Sequence, residues 1–99
     1  FGKVVEDECY RLHAMCMTTT PNLLYWSGET VAIFQQLYAL REEGVEAFFT
    51  VDAGPHVHIV CKRRDVAAVR EALNEIKGIN SIVDCGVAGP TTLVEEHLF

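Results

Sequence analysis

The sequence predicts an α+β fold in which helices pack on one face of an antiparallel sheet. Two runs rich in β-branched and aromatic residues, Ala47–Val51 and Val57–Cys61, flank a turn that contains Gly54 and Pro55. Such residues favour strands, and Gly and Pro interrupt them, so the two runs predict a β-hairpin. Segments with helical periodicity lie before and after this hairpin. Strands joined by a tight turn pair antiparallel, which together with the flanking helices gives the fold class.

The first helix is predicted over residues 1–17, because apolar residues recur there every three or four positions among charged ones. The stripe that should face the core consists of Val5, Cys9, Leu12 and Cys16. His13 lies beside this stripe, where a histidine is most simply a hydrogen-bonded residue of the surface or the core. The chain begins inside the helical pattern with no cap before Val4, so we expect a fragment of a longer chain.

A loop that contains Pro21 separates this helix from a second one. Ser27 is a favoured N-cap residue, and Glu29 in the following turn suits the positive end of the helix dipole. The helix should run to Glu43, and Gly44 should end it in a left-handed conformation. The stripe at helical spacing consists of Val31, Phe34, Leu37, Tyr38 and Arg41.

Alternation along the second strand of the hairpin separates a buried face from a polar face. The buried face should carry Val57, Ile59 and Cys61, and the polar face His56, His58 and Lys62. Two histidines on one face suit a metal ion, but a third ligand does not follow at a readable spacing. We therefore expect no metal site.

A third helix should begin after Asp65, a favoured N-cap residue, and end at Gly78. Its apolar face consists of Val66, Val69, Leu73 and Ile76. Residues Ile79–Cys85 have the composition of a third strand, which would return to the sheet through this helix. Residues 88–99 follow as a possible tail, and a short strand, a docked tail and a disordered end all fit their sequence.

Composition limits the possible functions. The 99 residues make one domain over residues 1–99, with enough apolar side chains for a single core. The net charge of −6 argues against nucleic acid and membrane surfaces as partners, since both attract basic patches.

The four cysteines form no Cys-x-x-Cys pair. Each is therefore interpreted as a small buried residue in a reducing compartment, which predicts a cytoplasmic protein.

Asp52 is a carboxylate at the end of an otherwise apolar strand, where the chain must turn. An aspartate in a turn often accepts a hydrogen bond from the backbone N–H two residues further on, and so caps the turn. A carboxylate presented at a turn is also suited to act on a bound ligand. Residue types alone favour the cap and leave the second interpretation open.

Two sequence blocks resemble a known family. The hairpin segment Phe49-Thr-Val-Asp-Ala-Gly-Pro55 resembles the aspartate motif of mevalonate diphosphate decarboxylases, which belong to the GHMP kinase superfamily. This chain has His56 where that family usually has Asn. Upstream, Leu12-His-Ala-Met15 followed by Thr20-Pro-Asn22 and Tyr25-Trp26 resembles the family's helix segment, its proline-containing loop and its aromatic.

The resemblance covers about residues 5 to 85 and implies the ferredoxin-like α+β sandwich of the family's C-terminal domain. It implies that the whole enzyme uses ATP and Mg²⁺ to convert mevalonate 5-diphosphate to isopentenyl diphosphate. Asp52 then matches the catalytic aspartate near the substrate's tertiary hydroxyl, and the turn backbone at Ala53 and Gly54 would contact the substrate. ATP and Mg²⁺ would be held mainly by an N-terminal GHMP domain of the same chain. We therefore expect the isolated 99 residues to be inactive.

Two other interpretations stay open at this point. A related GHMP kinase would phosphorylate a small molecule without decarboxylating it. A stand-alone α+β ligand-binding or regulatory domain would suit a short acidic chain that has no glycine-rich phosphate loop. The partners expected from these interpretations are a phosphorylated small molecule, the N-terminal domain and a second copy of the chain in a homodimer.

Overall fold

The computed structural model describes residues 1–86 and confirms the α+β class. The elements in chain order are α1 (Gly2–Met17), α2 (Gly28–Glu42), β1 (Ala47–Val51), β2 (Val57–Cys61), a 3-10 helix (Arg63–Asp65) and α3 (Val66–Asn74). β1 and β2 form a two-stranded antiparallel sheet. Among the described helices, none is long and apolar enough to cross a membrane. The predicted tail over 88–99 lies outside the described residues.

The hairpin forms where it was predicted, with Phe49 opposite Ile59 and Val51 opposite Val57. Every second side chain of β1 is fully buried, and the intervening side chains are partly exposed. β2 alternates between half-buried and exposed side chains, and His58 is one of the exposed ones. The predicted alternation of β2 is therefore confirmed, but its exposed face also carries the apolar Val60, which is 38% exposed.

The third strand predicted over Ile79–Cys85 is wrong, because residues 79–86 contain no strand. A strand that packs on a core needs apolar side chains at every second position. The side chains of this segment that pack against the core belong to Ile79 and Ile82, which are three positions apart. Val83 is 78% exposed. The segment has the β-branched composition of a strand without its alternation.

The predicted ends of α2 are confirmed, but the predicted cap of α3 is wrong. The Ser27 hydroxyl accepts a hydrogen bond from the Thr30 N–H, and the Thr30 hydroxyl accepts one from the Ser27 N–H. Gly44 follows α2 with φ of +90°, a conformation that favours glycine. Asp65 occupies the N-cap position of α3 without a side-chain cap hydrogen bond. Its backbone is already helical, as the end of the 3-10 helix, whereas a capping side chain needs an extended backbone.

The buried faces of α1 and α2 differ from the predicted stripes. The buried residues of α1 are Gly2, Glu6, Cys9 and His13. The buried residues of α2 are Thr30, Ile33, Phe34, Leu37 and Leu40. Leu12, Val31 and Tyr38, which periodicity placed on the core faces, are 40%, 41% and 40% exposed. The difference in α1 is notable because two of its buried residues, Glu6 and His13, are ionisable.

The outer edge of β1 explains why α1 buries polar residues. An edge strand leaves the N–H and C=O groups of every second residue without strand partners. Here the Phe49 N–H donates to Glu6 Oε2 over 3.2 Å, and Arg41 Nε donates to the Ala47 carbonyl over 2.7 Å. Arg41 also forms an ion pair with the Glu6 carboxylate. Side chains of α1 and α2 thus take the place of a neighbouring strand.

Aromatic rings fill the space between α1, α2 and β1. Phe49 is fully buried, and its ring stacks on that of Phe34 with centroids 3.8 Å apart. Tyr10 and Tyr38 approach the Phe49 ring edge-on, each with a centroid separation of 5.8 Å. This packing fixes β1 against both helices and therefore fixes the turn that follows it.

The close approach of α1 to β1 predicts that Gly2 tolerates no side chain. A Cβ added at Gly2 would overlap the ring of Phe48. We expect Gly2→Ala to lower the free energy of unfolding by about 2 kcal/mol, because the helix or the ring must move. Gly28→Ala is the matched control, since nothing lies within 4 Å of a Cβ added there. It should be neutral or slightly stabilising, because alanine favours helices. Urea unfolding measures both changes, and equal midpoints for the two variants would contradict the prediction.

Candidate functional site

The candidate site is the hairpin turn over residues 52–56, between the end of β1 and the start of β2. Asp52 and Ala53 are exposed, and Gly54 is half-buried. Gly54 has φ of +146°, a backbone conformation that residues with a Cβ rarely adopt. The turn therefore has glycine at the position where its backbone conformation favours one. Pro55 then restricts the backbone of the second half of the turn. The turn therefore presents Asp52 at the surface on a conformationally restricted loop.

The Asp52 carboxylate makes no hydrogen bond or ion pair with residues 1–86. A turn-capping aspartate would accept a hydrogen bond from the backbone N–H two residues on, which here belongs to Gly54. That bond does not form within the described part of the chain. The cap interpretation therefore lacks its defining contact, and an accessible carboxylate without a structural partner is free to bind a ligand.

Both backbone polar groups of Val51, the residue before Asp52, are bound by side chains of α1. Val51 is fully buried, its N–H donates to Cys9 Sγ over 3.3 Å, and its carbonyl accepts a hydrogen bond from His13 Nε2 over 2.5 Å. Cys9 and His13 are four residues apart and so lie on one face of the helix. The strand end that leads into Asp52 is thus fixed by two side chains of a different element.

His13 is 1% exposed and lies among aromatic rings. Its ring centroid is 5.1 Å from that of Trp26 and 6.0 Å from that of Tyr25. The structure therefore brings the two sequence blocks together, because the helix histidine of the first block bonds to the strand of the second and packs against the aromatic pair of its own block. Sequence reasoning indicated a hydrogen-bonded histidine, which is confirmed, but it did not identify the Val51 carbonyl as its partner. Only the resemblance of the His-Ala block marked this position.

The basic run that follows the hairpin lies far from the turn. The basic run Lys62–Arg64 follows β2 at the end opposite to the turn, and a five-residue strand separates the two ends by about 17 Å. Lys62 also pairs with Glu46 over 3.0 Å. The cations of this run are therefore not beside Asp52. Residues 1–86 also contain no glycine-rich phosphate loop, so they do not by themselves fit ATP and Mg²⁺.

His56 and His58 are both exposed, at the start of β2. Within residues 1–86, no group of three or more His, Cys, Asp or Glu side chains is arranged to hold a metal ion. The expectation that these histidines bind no metal stays a prediction.

The cysteines are free thiols in the described residues, and they differ in burial. Cys9 is buried as predicted, whereas Cys85 is exposed, which contradicts the prediction for that residue. The cause is the missing third strand, which would have buried alternate residues of that segment. Burial raises the pKa of the Cys61 thiol, and the charges of Asp65 and Asp84 raise it further. Cys61 is therefore a neutral thiol and a poor nucleophile.

Residues 1–96 match the family model of the mevalonate 5-diphosphate decarboxylase C-terminal domain. The chain belongs to this family. It is 33% identical over 95 residues to a phosphomevalonate decarboxylase from Haloferax volcanii, which covers 95% of this chain and 29% of that protein. The family assignment confirms the resemblance that the two sequence blocks indicate.

Solved structures of the mevalonate diphosphate decarboxylase family share this fold. The enzyme from Staphylococcus aureus superimposes with a TM-score of 0.73 at 29% identity, over 80% of this chain and 24% of that one. The structure of MDDEF in complex with MVAPP, AMPPCP and magnesium gives a TM-score of 0.71 at 27% identity, over 75% of this chain and 23% of that one. The chain therefore spans less than a third of the length of the relatives it matches.

Proposed function

We propose that this chain is the C-terminal domain of an ATP-dependent decarboxylase that converts mevalonate 5-diphosphate to isopentenyl diphosphate, with Asp52 as its catalytic base. The observation that carries the proposal is the accessible Asp52 carboxylate, which has no structural partner in residues 1–86 and follows an anchored strand end. Membership of the decarboxylase family supports the reaction class. The neighbouring structure with an ATP analogue and magnesium supports the cofactors.

In this reaction the tertiary hydroxyl of the substrate receives a phosphoryl group, which ATP supplies. Asp52 would orient the hydroxyl and accept its proton as the oxygen–phosphorus bond forms. The carbon–oxygen bond to the new phosphate then breaks, and phosphate leaves. The carbon–carbon bond to the carboxylate breaks as well, and its electron pair forms the double bond as carbon dioxide departs. The backbone of Ala53 and Gly54, next to Asp52, would contact the substrate.

The remaining parts of the site would come from outside this chain. We place ATP and Mg²⁺ mainly on an N-terminal GHMP domain of a longer protein, because the described residues do not fit them. Phosphoryl transfer depends mostly on positioning and on stabilising charge, so the acidic chain needs a basic partner surface. A cytoplasmic location and a homodimer complete this proposal.

A second substrate is favoured by one specific observation. The relative that is 33% identical over 95 residues carries the name phosphomevalonate decarboxylase. Such an enzyme would decarboxylate a substrate with one phosphate where mevalonate 5-diphosphate has two. Asp52 would act on the same hydroxyl in either case, because the two substrates differ only at the far end of the molecule.

The test is turnover by the full-length protein with ATP, Mg²⁺ and each of the two substrates. We expect one carbon dioxide and one phosphate for each ADP formed, with one of the substrates preferred. The 99-residue chain alone should show no turnover, because its sequence contains no glycine-rich phosphate loop. ADP formation without carbon dioxide would favour a GHMP kinase instead. Coupled turnover by the isolated chain would contradict the fragment interpretation.

A further inference from the structure

We propose that His13 is a positioning residue for Asp52: it holds the last peptide of β1 and thereby fixes the direction in which the Asp52 carboxylate points. The proposal rests on the role proposed above for Asp52. It adds to that site a residue of α1, the helix that packs along the outer edge of β1.

The first step of the argument is that the sheet stops supporting the chain at Val51. The last pair of residues joined across the hairpin is Val51 and Val57. Beyond that pair, residues 52–56 have no strand partners. The direction in which the chain enters the turn therefore depends on what holds Val51.

The second step concerns the peptide unit between Val51 and Asp52. The Val51 carbonyl, the Asp52 N–H and the Asp52 Cα belong to one plane, because the peptide bond does not rotate freely. His13 Nε2 donates to the oxygen of this plane over 2.5 Å. Rotation of the plane would break that bond and displace the Asp52 side chain. Displacement of a reacting group by about 1 Å is enough to lower a rate about a hundredfold.

The third step is that His13 is itself rigid. Its ring is 1% exposed and lies against Trp26 and Tyr25, which belong to the segment before α2. Because the ring is buried and packed against these two aromatic side chains, it has little room to rotate. An apolar residue at this position would fill the same space and remove this bond, which leaves the Val51 carbonyl only the weak Cys9 thiol donor at 3.9 Å.

A contact of the same kind at the other end of β1 provides a matched control. Arg41 Nε donates to the Ala47 carbonyl over 2.7 Å, at the same outer edge of the strand. Ala47 is the first residue of β1, whereas Val51 is the last. Loss of the Arg41 contact should therefore disturb the strand without redirecting Asp52.

The experiment measures kcat and KM of the full-length protein for its preferred substrate, with His13→Met, His13→Gln and Arg41→Met. We expect His13→Met to lower kcat about 10- to 100-fold with KM within about threefold, because substrate contacts remain while the base is misdirected. His13→Gln should keep kcat within about threefold of the wild type, since the glutamine amide N–H reaches the position of the His13 Nε2–H. Arg41→Met should lower stability and leave kcat of the folded protein unchanged.

Combination with Asp52→Asn tests whether His13 acts through Asp52. The double variant His13→Met/Asp52→Asn should be no slower than Asp52→Asn alone, because the base that His13 positions is already absent. If the loss of kcat in the double variant equals the product of the losses in the two single variants, the proposal is overturned. Normal kcat in His13→Met, or failure of His13→Gln to restore it, would also overturn it.

Two further outcomes separate this proposal from the one on which it rests. If Asp52→Asn is slow and His13→Met is normal, only the role of His13 is wrong. If Asp52→Asn keeps normal turnover, or the wild type turns over neither substrate, both proposals are wrong. Should His13→Met fail to fold, His13→Asn replaces it. Its amide is one bond shorter than that of His13→Gln, so equal kcat for these two variants would overturn the positioning role.

Discussion

Asp52→Asn in the full-length protein should lower kcat about a hundredfold to ten-thousandfold, which corresponds to about 3–5 kcal/mol of activation free energy. Asparagine keeps the size and shape of the side chain but does not accept the proton of the substrate hydroxyl. The free energy of unfolding should stay nearly unchanged, because the carboxylate makes no hydrogen bond or ion pair within residues 1–86. Steady-state kinetics and urea unfolding of the same preparations measure both quantities.

Asp65→Asn is the matched control for this prediction. It removes the same charge from the N-cap position of α3, where the side chain makes no cap hydrogen bond. We expect kcat within about twofold of the wild type, since surface substitutions of this kind have small effects. Near-normal kcat in Asp52→Asn would show that Asp52 is a turn residue without a catalytic role. A large loss of stability in that variant would show that it has a structural partner.

Glu6→Ala should lower the free energy of unfolding by about 3 kcal/mol, a large part of the 5–15 kcal/mol typical of a domain. The Glu6 side chain is 8% exposed and pairs with Arg41, and its Oε2 accepts the Phe49 N–H over 3.2 Å. Removal of the carboxylate leaves a partly buried guanidinium unpaired and a buried N–H without an acceptor. Burial already lowers the pKa of Arg41, which reflects the cost of removing this cation from water. Urea unfolding of the chain measures the change.

Glu8→Ala is the control, because Glu8 lies on the same helix and pairs with Arg11 over 2.6 Å at the surface. Both of these side chains are more than 60% exposed, so we expect a change within about 0.5 kcal/mol. The double variant Glu6→Leu/Arg41→Met should be more stable than Glu6→Ala, since it removes both charges of the ion pair together. It should stay below the wild type, because the Phe49 N–H still lacks an acceptor. Equal stability of Glu6→Ala and Glu8→Ala would contradict the role of Glu6 at the strand edge.

Local sequence was sufficient for most elements and for the family. The capping pattern at Ser27 and the glycine at Gly44 determine the ends of α2, because each satisfies backbone groups within a few residues of itself. The hairpin follows from two short runs and the turn between them. The prediction of a third strand was wrong for the opposite reason. Composition is read from the segment itself, whereas strand pairing depends on a neighbouring strand elsewhere in the chain. The alternation of apolar side chains that such a strand needs is missing here.

The buried face of α1 was decided by tertiary structure alone. Periodicity marks apolar side chains, so it selected Leu12 and passed over Glu6 and His13. Those two residues are buried because α1 lies along the edge of β1, where backbone N–H and C=O groups need partners that carry polar atoms. No pattern within α1 contains the position of that edge. The sequence by itself therefore determined that Asp52 stands in a hairpin turn of this family. Only the packing of α1 on β1 decided that His13 binds the carbonyl of the peptide between Val51 and Asp52. A hydrogen bond between residues 38 positions apart is a property of the folded chain.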